Sequence, residues 1–250
     1  MIIKLKKALL LLGITFWLSG CSSDDGFAQN NDEQPNNSIN KIMPLGASRV
    51  QGNRPAYESY RYELWKDLID GNYTFDYIGT VDDEGTYPNY NNISFDINHE
   101  GRGGWTSGQI LNGIEGWLNQ AGIPDIVLFS SPGGNDALIG LSFDNAINNI
   151  NTIIDILQTA NPNITIIIEQ MAPAKSSEMT PELTTYFNQL NSQVLQISAA
   201  KTTANSKVIP VDMFTGFTDD LLADAVHYNE AGANFVAQRY YNILIDVLEE

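Results

Sequence analysis

The chain contains only two histidines, so the search for a catalytic base is short. His227 stands in "DAVHYNEAG", three residues after Asp224. A carboxylate at that offset can accept the Nδ1 proton of the imidazole, fix its tautomer and leave Nε2 free as a base. Taken alone, D-x-x-H reads more simply as an aspartate capping a surface turn. Three other stretches change that reading. "KIMPLGASRVQG", residues 41–52, ends an apolar run at Gly46 and puts Ser48 in the turn that follows. "HEGRGGWTSGQ", 99–109, carries four glycines and a helix start, and "SSPGGNDAL", 130–138, follows another apolar run. If these loops open on one edge of a sheet, a serine, an imidazole, a carboxylate, a glycine N–H and an amide converge. That is the set acyl transfer requires.

The elements that would hold them alternate in a βα rhythm. Strands are predicted at 40–45, 74–79, 124–130, 163–170 and 206–212, and helices at about 56–70, 106–121, 142–160, 180–203 and 228–249. "IVLF" and "ITIII" are unbroken apolar runs, as expected of strands covered on both faces of a parallel sheet. Phe143, Ala146, Ile147, Ile150, Ile153, Ile154 and Leu157 follow helical spacing, giving one apolar stripe. The expected fold is a three-layer αβα sandwich around a five-stranded parallel sheet, with the site at the carboxyl ends of the strands. Residues 80–105 are left as one long irregular connection, and such loops are commonly functional.

The first residues read as a processing segment, 1–20. Lys4, Lys6 and Lys7 precede an apolar stretch, Ala8 to Trp17, that is too short to span a bilayer. "LSGC" then resembles the lipobox of bacterial lipoproteins, which makes Cys21, the sole cysteine, a lipid anchor on a membrane rather than a nucleophile. Residues 22–38 are polar enough to remain an unfolded tether to a domain at 39–250. Asp24 and Asp25 resemble the acidic tag of outer-membrane lipoproteins displayed on the cell surface; plain tether composition, with the anchor on the periplasmic face, is the alternative. Without the three signal lysines, 10 basic residues face 30 acidic ones, a net charge of −20. Such a field disfavours nucleic acid and suits a neutral substrate.

The ordered blocks "LGAS", "GGWT", "GGND" and "DAVH" resemble those of the SGNH, or GDSL-type, hydrolases, which have a flavodoxin-like α/β fold. The resemblance covers most of 40–245 and extends to the family 3 carbohydrate esterases, the acetylxylan esterases. It rests on "MPLG" before the serine, "ESYRYELW" (58–65), "HEGRGGWT" (99–106), "PDIVL" (124–128) and "VDM" (211–213). It implies Ser48 as nucleophile and, through its own N–H, as one oxyanion donor. Gly104 would donate through its backbone and Asn135 through its side-chain amide. His227 would be base and then acid, with Asp224 its orienter. The family usually has aspartate where this chain has Ala47, and Ile-Thr where it has Arg49 and Val50. These departures leave open a non-catalytic glycan-binding lipoprotein with a degenerate site.

The expected substrate is an acetylated polysaccharide or oligosaccharide, and a short-chain lipid or aryl ester is the alternative within the same chemistry. Aromatic residues are frequent between 73 and 98. Trp105, beside the oxyanion glycine, and Tyr90 are the candidates for stacking on a sugar ring. Asp82, Asp83, Glu84 and Asp96 lack the spacing of a calcium loop, and His99 next to Glu100 has no second soft ligand nearby. No metal or cofactor is expected, and oligomeric state is not legible.

Overall fold

The computed structural model describes residues 40–248. Cys21, the signal segment and the tether lie outside the described residues. β1 (Lys41–Gly46) is central, pairing on one side with β5 (Ile126–Phe129) and on the other with β2 (Asp76–Tyr77) and β4 (Asn98–Gly101). β6 (Thr165–Gln170) and β7 (Lys207–Asp212) continue the sheet beyond β5. The main order is β3-β4-β1-β5-β6-β7, all parallel except β3 (Val81–Asp82), which runs antiparallel to β4.

The period of two along each strand builds two cores. Ile42, Ile126, Leu128, Ile167 and Val211 point to one face, where they meet Leu64 and Leu68 of α2 (Arg61–Asp70) and Val236 and Tyr240 of α7 (Glu230–Leu244). Met43, Leu45, Val127, Phe129, Ile166 and Ile168 point to the other. There they meet α3 (Ser107–Ala121), α5 (Phe143–Ala160) and α6 (Pro181–Lys201) through Ile114, Ile150, Ile154, Leu157 and Val194. Burying each such aliphatic side chain contributes about 1.5–3 kcal/mol, so the sheet's two-sided apolar pattern dictates three layers.

Helix starts follow local capping chemistry. Thr106 and Gln109 form a capping box on α3, and Ser142, Thr180 and Asn229 accept backbone N–H groups at the starts of α5, α6 and α7. Two one-turn helices, α1 (Ser48–Gln51) and α4 (Gly134–Leu138), lie in the loops after β1 and β5.

The sheet departs from the expected five parallel strands in the segment assigned to irregular loop. Residues 98–101 form β4, in register with the end of β1 through Leu45↔Glu100 and Gly46↔Gly101. Its burial comes from His99 and Glu100, wholly enclosed polar residues without an apolar signature. β2 shrinks to two residues because β4 takes over the pairing with the carboxyl end of β1. The helix expected from 56 begins at Arg61. Residues before it instead bridge to the chain around Tyr228, where Glu58 N–H donates to the Tyr228 carbonyl at 2.9 Å.

Candidate active site

β1 ends at a glycine because nothing larger fits. A Cβ on Gly46 would lie 2.8 Å from a Val50 methyl and 2.9 Å from the Ser130 carbonyl oxygen. The chain therefore turns tightly into α1, with Ser48 as its first residue. The Ser48 hydroxyl lies 2.9 Å from His227 Nε2, across 179 positions of sequence. His227 Nδ1 in turn lies 2.8 Å from Asp224 Oδ2. Asp224 Oδ1 accepts the backbone N–H groups of Val226 and His227 at 2.9 and 2.8 Å, so one carboxylate holds both the ring and its loop. Partial burial pushes the Asp224 carboxyl up, but these hydrogen bonds outweigh it and hold it below the ordinary aspartate range. A proton on Nδ1 is thereby fixed toward Asp224, and Nε2 is the atom that accepts from Ser48. Tyr57 stacks on the imidazole, with ring centroids 3.8 Å apart and planes 12° from parallel.

The other residues expected at the site come from the loops after β4 and β5. Gly104 has φ +77°, a conformation glycine adopts without strain, in a turn closed by Trp105 N–H donating to the Arg102 carbonyl. Gly103 places the same loop against the serine, since a Cβ there would stand 3.9 Å from Ser48 Cβ. Its N–H donates to Gln51 Oε1 at 2.7 Å, which ties the loop to α1. Asn135 donates one amide hydrogen to the Trp105 carbonyl at 2.8 Å, leaving the second for a ligand. Asp136 accepts both the N–H and the hydroxyl of Ser107 at 2.7 Å, locking α4 to the start of α3. Ser48 and Asn135 line one small cavity of about 40 Å3, with apolar walls from Leu138, Met171, Phe187 and Val226.

Trp105 is half-buried. Its ring packs on Trp117 at 5.7 Å under the Arg102 guanidinium, so much of it supports the glycine loop. Tyr90 does not belong with the site. Its hydroxyl donates to Asp70 at the far end of α2, while the start of α2 is bound to α1 through Arg61. Tyr90 joins the aromatic cluster around Trp65 and Phe95. The sequence reading failed there because aromatic content does not say which end of a helix a loop packs on.

Arg49 is the residue whose part sequence reasoning missed. Only 8% exposed, it donates from Nε to the Val226 carbonyl at 2.8 Å, from Nη1 to Ala172 at 2.8 Å and from Nη2 to Pro173 at 3.0 Å. One guanidinium thus joins the serine turn, the histidine loop and the chain leaving β6. Ala47 makes no side-chain capping bond, so Arg49 supplies a tie at this turn. Glu169, the lone acid in an apolar strand, is wholly buried beside it. It accepts Ser131 N–H at 2.7 Å and the Tyr240 hydroxyl at 2.8 Å. Burial holds its carboxyl above the ordinary range against those bonds and the nearby Arg49 charge. A charged residue beside the serine and an acid inside "TIIIEQ" were the available signals.

Proteins of known structure superpose on most of the described chain. A family 3 carbohydrate esterase from Talaromyces cellulolyticus superposes with a TM-score of 0.72 at 28% identity, covering 84% of this chain and 98% of that one. A Clostridium thermocellum family 3 carbohydrate esterase gives 0.66 at 30% identity, covering 84% and 96%. An acetyl esterase mutant crystallised with acetate ion gives 0.73 at 28% identity, covering 84% and 98%. In sequence, 144 residues are 31% identical to an Acetivibrio thermocellus protein provisionally named endoglucanase X, spanning 56% of this chain and 58% of that protein's length. The model of the GDSL-like lipase/acylhydrolase family matches residues 72–234, and with an assembled Ser48–His227–Asp224 chain on the matching fold, this protein belongs to that family and is a carboxylic ester hydrolase.

Proposed function

We propose that the protein removes O-acetyl groups from a polysaccharide or oligosaccharide through an acyl-enzyme on Ser48. The observation that carries this is the hydrogen-bonded line from Ser48 Oγ to His227 Nε2, at 2.9 Å, and from Nδ1 to Asp224, at 2.8 Å. Ser48 Oγ attacks the ester carbonyl as its proton passes to Nε2. Negative charge grows on the former carbonyl oxygen, for which the Ser48 and Gly104 N–H groups and the second Asn135 amide hydrogen are the donors. The imidazolium, steadied by Asp224, returns its proton to the departing sugar oxygen and breaks the C–O bond. Water then enters, gives one proton to Nε2 and attacks the acetyl-serine carbonyl; that proton passes to Ser48 Oγ as the ester bond breaks, and the acetic acid released ionises in solvent.

The cavity of about 40 Å3 lined by Ser48, Leu138, Met171 and Phe187 supports a short acyl group, since so small a space has no room for a long one. The carbohydrate and acetyl esterases it resembles, at 28–30% identity, support acetate and a sugar alcohol as the two halves of the ester. Attachment to an outer membrane through a lipid on Cys21 would place the enzyme where polymeric substrates are met. This part of the proposal rests on "LSGC" and the polar segment after it. The test is hydrolysis of a small aryl acetate and acetate release from acetylated xylan by the purified protein. Ser48→Ala and His227→Ala should each abolish nearly all of both rates. A wild-type rate equal to that of the variants refutes the reading.

A further inference from the structure

Beside the site lies a second hollow of about 560 Å3 that shares no lining residue with the small apolar cavity. That volume falls in the range of ligand pockets. Gln51, Asn53, Arg54, Tyr57, Glu84 and His99 are among its walls, with Asp82 and Asp83 beside them. Two of these residues border the reacting groups. Tyr57 is stacked on the His227 ring. Gln51 holds the N–H of Gly103, the glycine that abuts Ser48.

Two buried donors in these walls have no hydrogen-bond partner among the described residues. Arg54 pairs through Nε with Glu58 at 3.2 Å, yet its Nη1 is enclosed and unbonded. His99 is fully buried and accepts Gly101 N–H on Nδ1 at 2.9 Å. Its remaining proton therefore sits on Nε2, which has no hydrogen-bond partner among the described residues. Buried donors are rarely left so, because each has given up its bonds to water without a replacement. The wall also offers acceptors, the carboxylates of Asp82 and Glu84, and an amide on Asn53 that does both. Interleaved donors and acceptors match hydroxyl groups, each of which donates and accepts. An acyl chain would find almost no apolar wall here, and an anionic ligand would face three carboxylates against one paired arginine.

We propose that this hollow is the alcohol-side subsite, holding a neutral pyranose of the acetylated substrate while the acetyl group occupies the apolar cavity. This rests on the deacetylase reading above and adds the residues that select its sugar. Hydroxyl oxygens accept from Arg54 Nη1 and His99 Nε2–H. Hydroxyl protons go to Glu84, Asp82 and the Asn53 carbonyl.

Asn53 and Glu84 are exposed at the rim, so their alanine variants should fold normally. In the full-length protein, Asn53→Ala with Glu84→Ala should lower kcat/KM for an acetylated xylo-oligosaccharide about tenfold or more, mainly through KM. Turnover of a small aryl acetate should stay within about twofold, because that leaving group needs no sugar contacts. Unchanged oligosaccharide kinetics, or a parallel fall on both substrates, overturns the assignment. Calorimetric titration of Ser48→Ala protein with unacetylated xylo-oligosaccharide tests the hollow without turnover. Heat of binding that disappears when Asn53 and Glu84 are also changed supports it, and no binding to Ser48→Ala alone refutes it. An esterase-inactive wild type that still binds the sugar through these residues would remove the deacetylase reading and keep the subsite.

Discussion

Acidification should expose the cost of keeping His99 neutral. The imidazole is fully buried in β4, and burial, with the positive charges of Arg61 and Arg102 added, lowers its pKa from 6.5 to about 2. In the unfolded chain it titrates at the ordinary value. Between these two values the unfolded state binds more protons than the native state, so stability falls as pH drops below about 6.5. At pH 5 the gap is about 1.5 pH units below the unfolded value, which amounts to roughly 2 kcal/mol, and at pH 4 roughly 3.4 kcal/mol. For a domain of this size 2 kcal/mol corresponds to a drop in Tm of about 4–8 °C. Burial also raises the neighbouring Glu100 carboxyl, so acidification acts on more than His99 and the measurement is a difference. Urea unfolding of wild type and His99→Gln at pH 7 and pH 5 should show the wild type losing about 2 kcal/mol more than the variant. The substituted amide oxygen can still accept Gly101 N–H, so the comparison keeps the local turn. Equal pH sensitivity in both proteins would mean that His99 is not held neutral and that the burial argument is wrong.

Other substitutions probe the site from different sides. Asp224→Asn can still accept the N–H groups of Val226 and His227, but its amide would donate to Nδ1 and put the ring proton on Nε2, facing Ser48. In a buried triad that error costs about 10⁴ in kcat, and because the Asp224 side chain is 49% exposed we expect about 10³, read with an aryl acetate. Arg49→Met would strip donors from the Val226, Ala172 and Pro173 carbonyls and cost about 3 kcal/mol in urea unfolding, with a lower kcat as the histidine loop loosens. Glu169 has a raised pKa, so the native state holds its proton longer and this group's contribution weakens as pH rises above the ordinary carboxylate range. The Tm of Glu169→Gln, relative to wild type, should therefore rise with pH through that window.

Much of the frame is legible in short runs of residues. "IVLF" and "TIIIEQ" specify strands covered on both faces, and Thr106 with Gln109, Ser142 and Thr180-Pro181 mark helix starts. Loops after such strands must gather at one edge, so Ser48, Asn135, Asp224 and His227 could be placed together from their order alone. These are local signals: a period, a cap and a turn are written within a few neighbouring positions. β4 has no such signal, because His99 and Glu100 are polar and are buried by partners from α2, β1 and the Thr80 turn. Arg49 looks like a departure in the serine motif until the Val226, Ala172 and Pro173 carbonyls, more than 120 positions away, surround it. Tyr90 fails as a site residue for the same reason, and the polar hollow emerges only when 51–57, 81–85 and 99 pack side by side. A run of residues can state its own conformational and burial preferences. Which distant groups satisfy a buried charge, or leave a donor open to a ligand, depends on where the folded chain brings them.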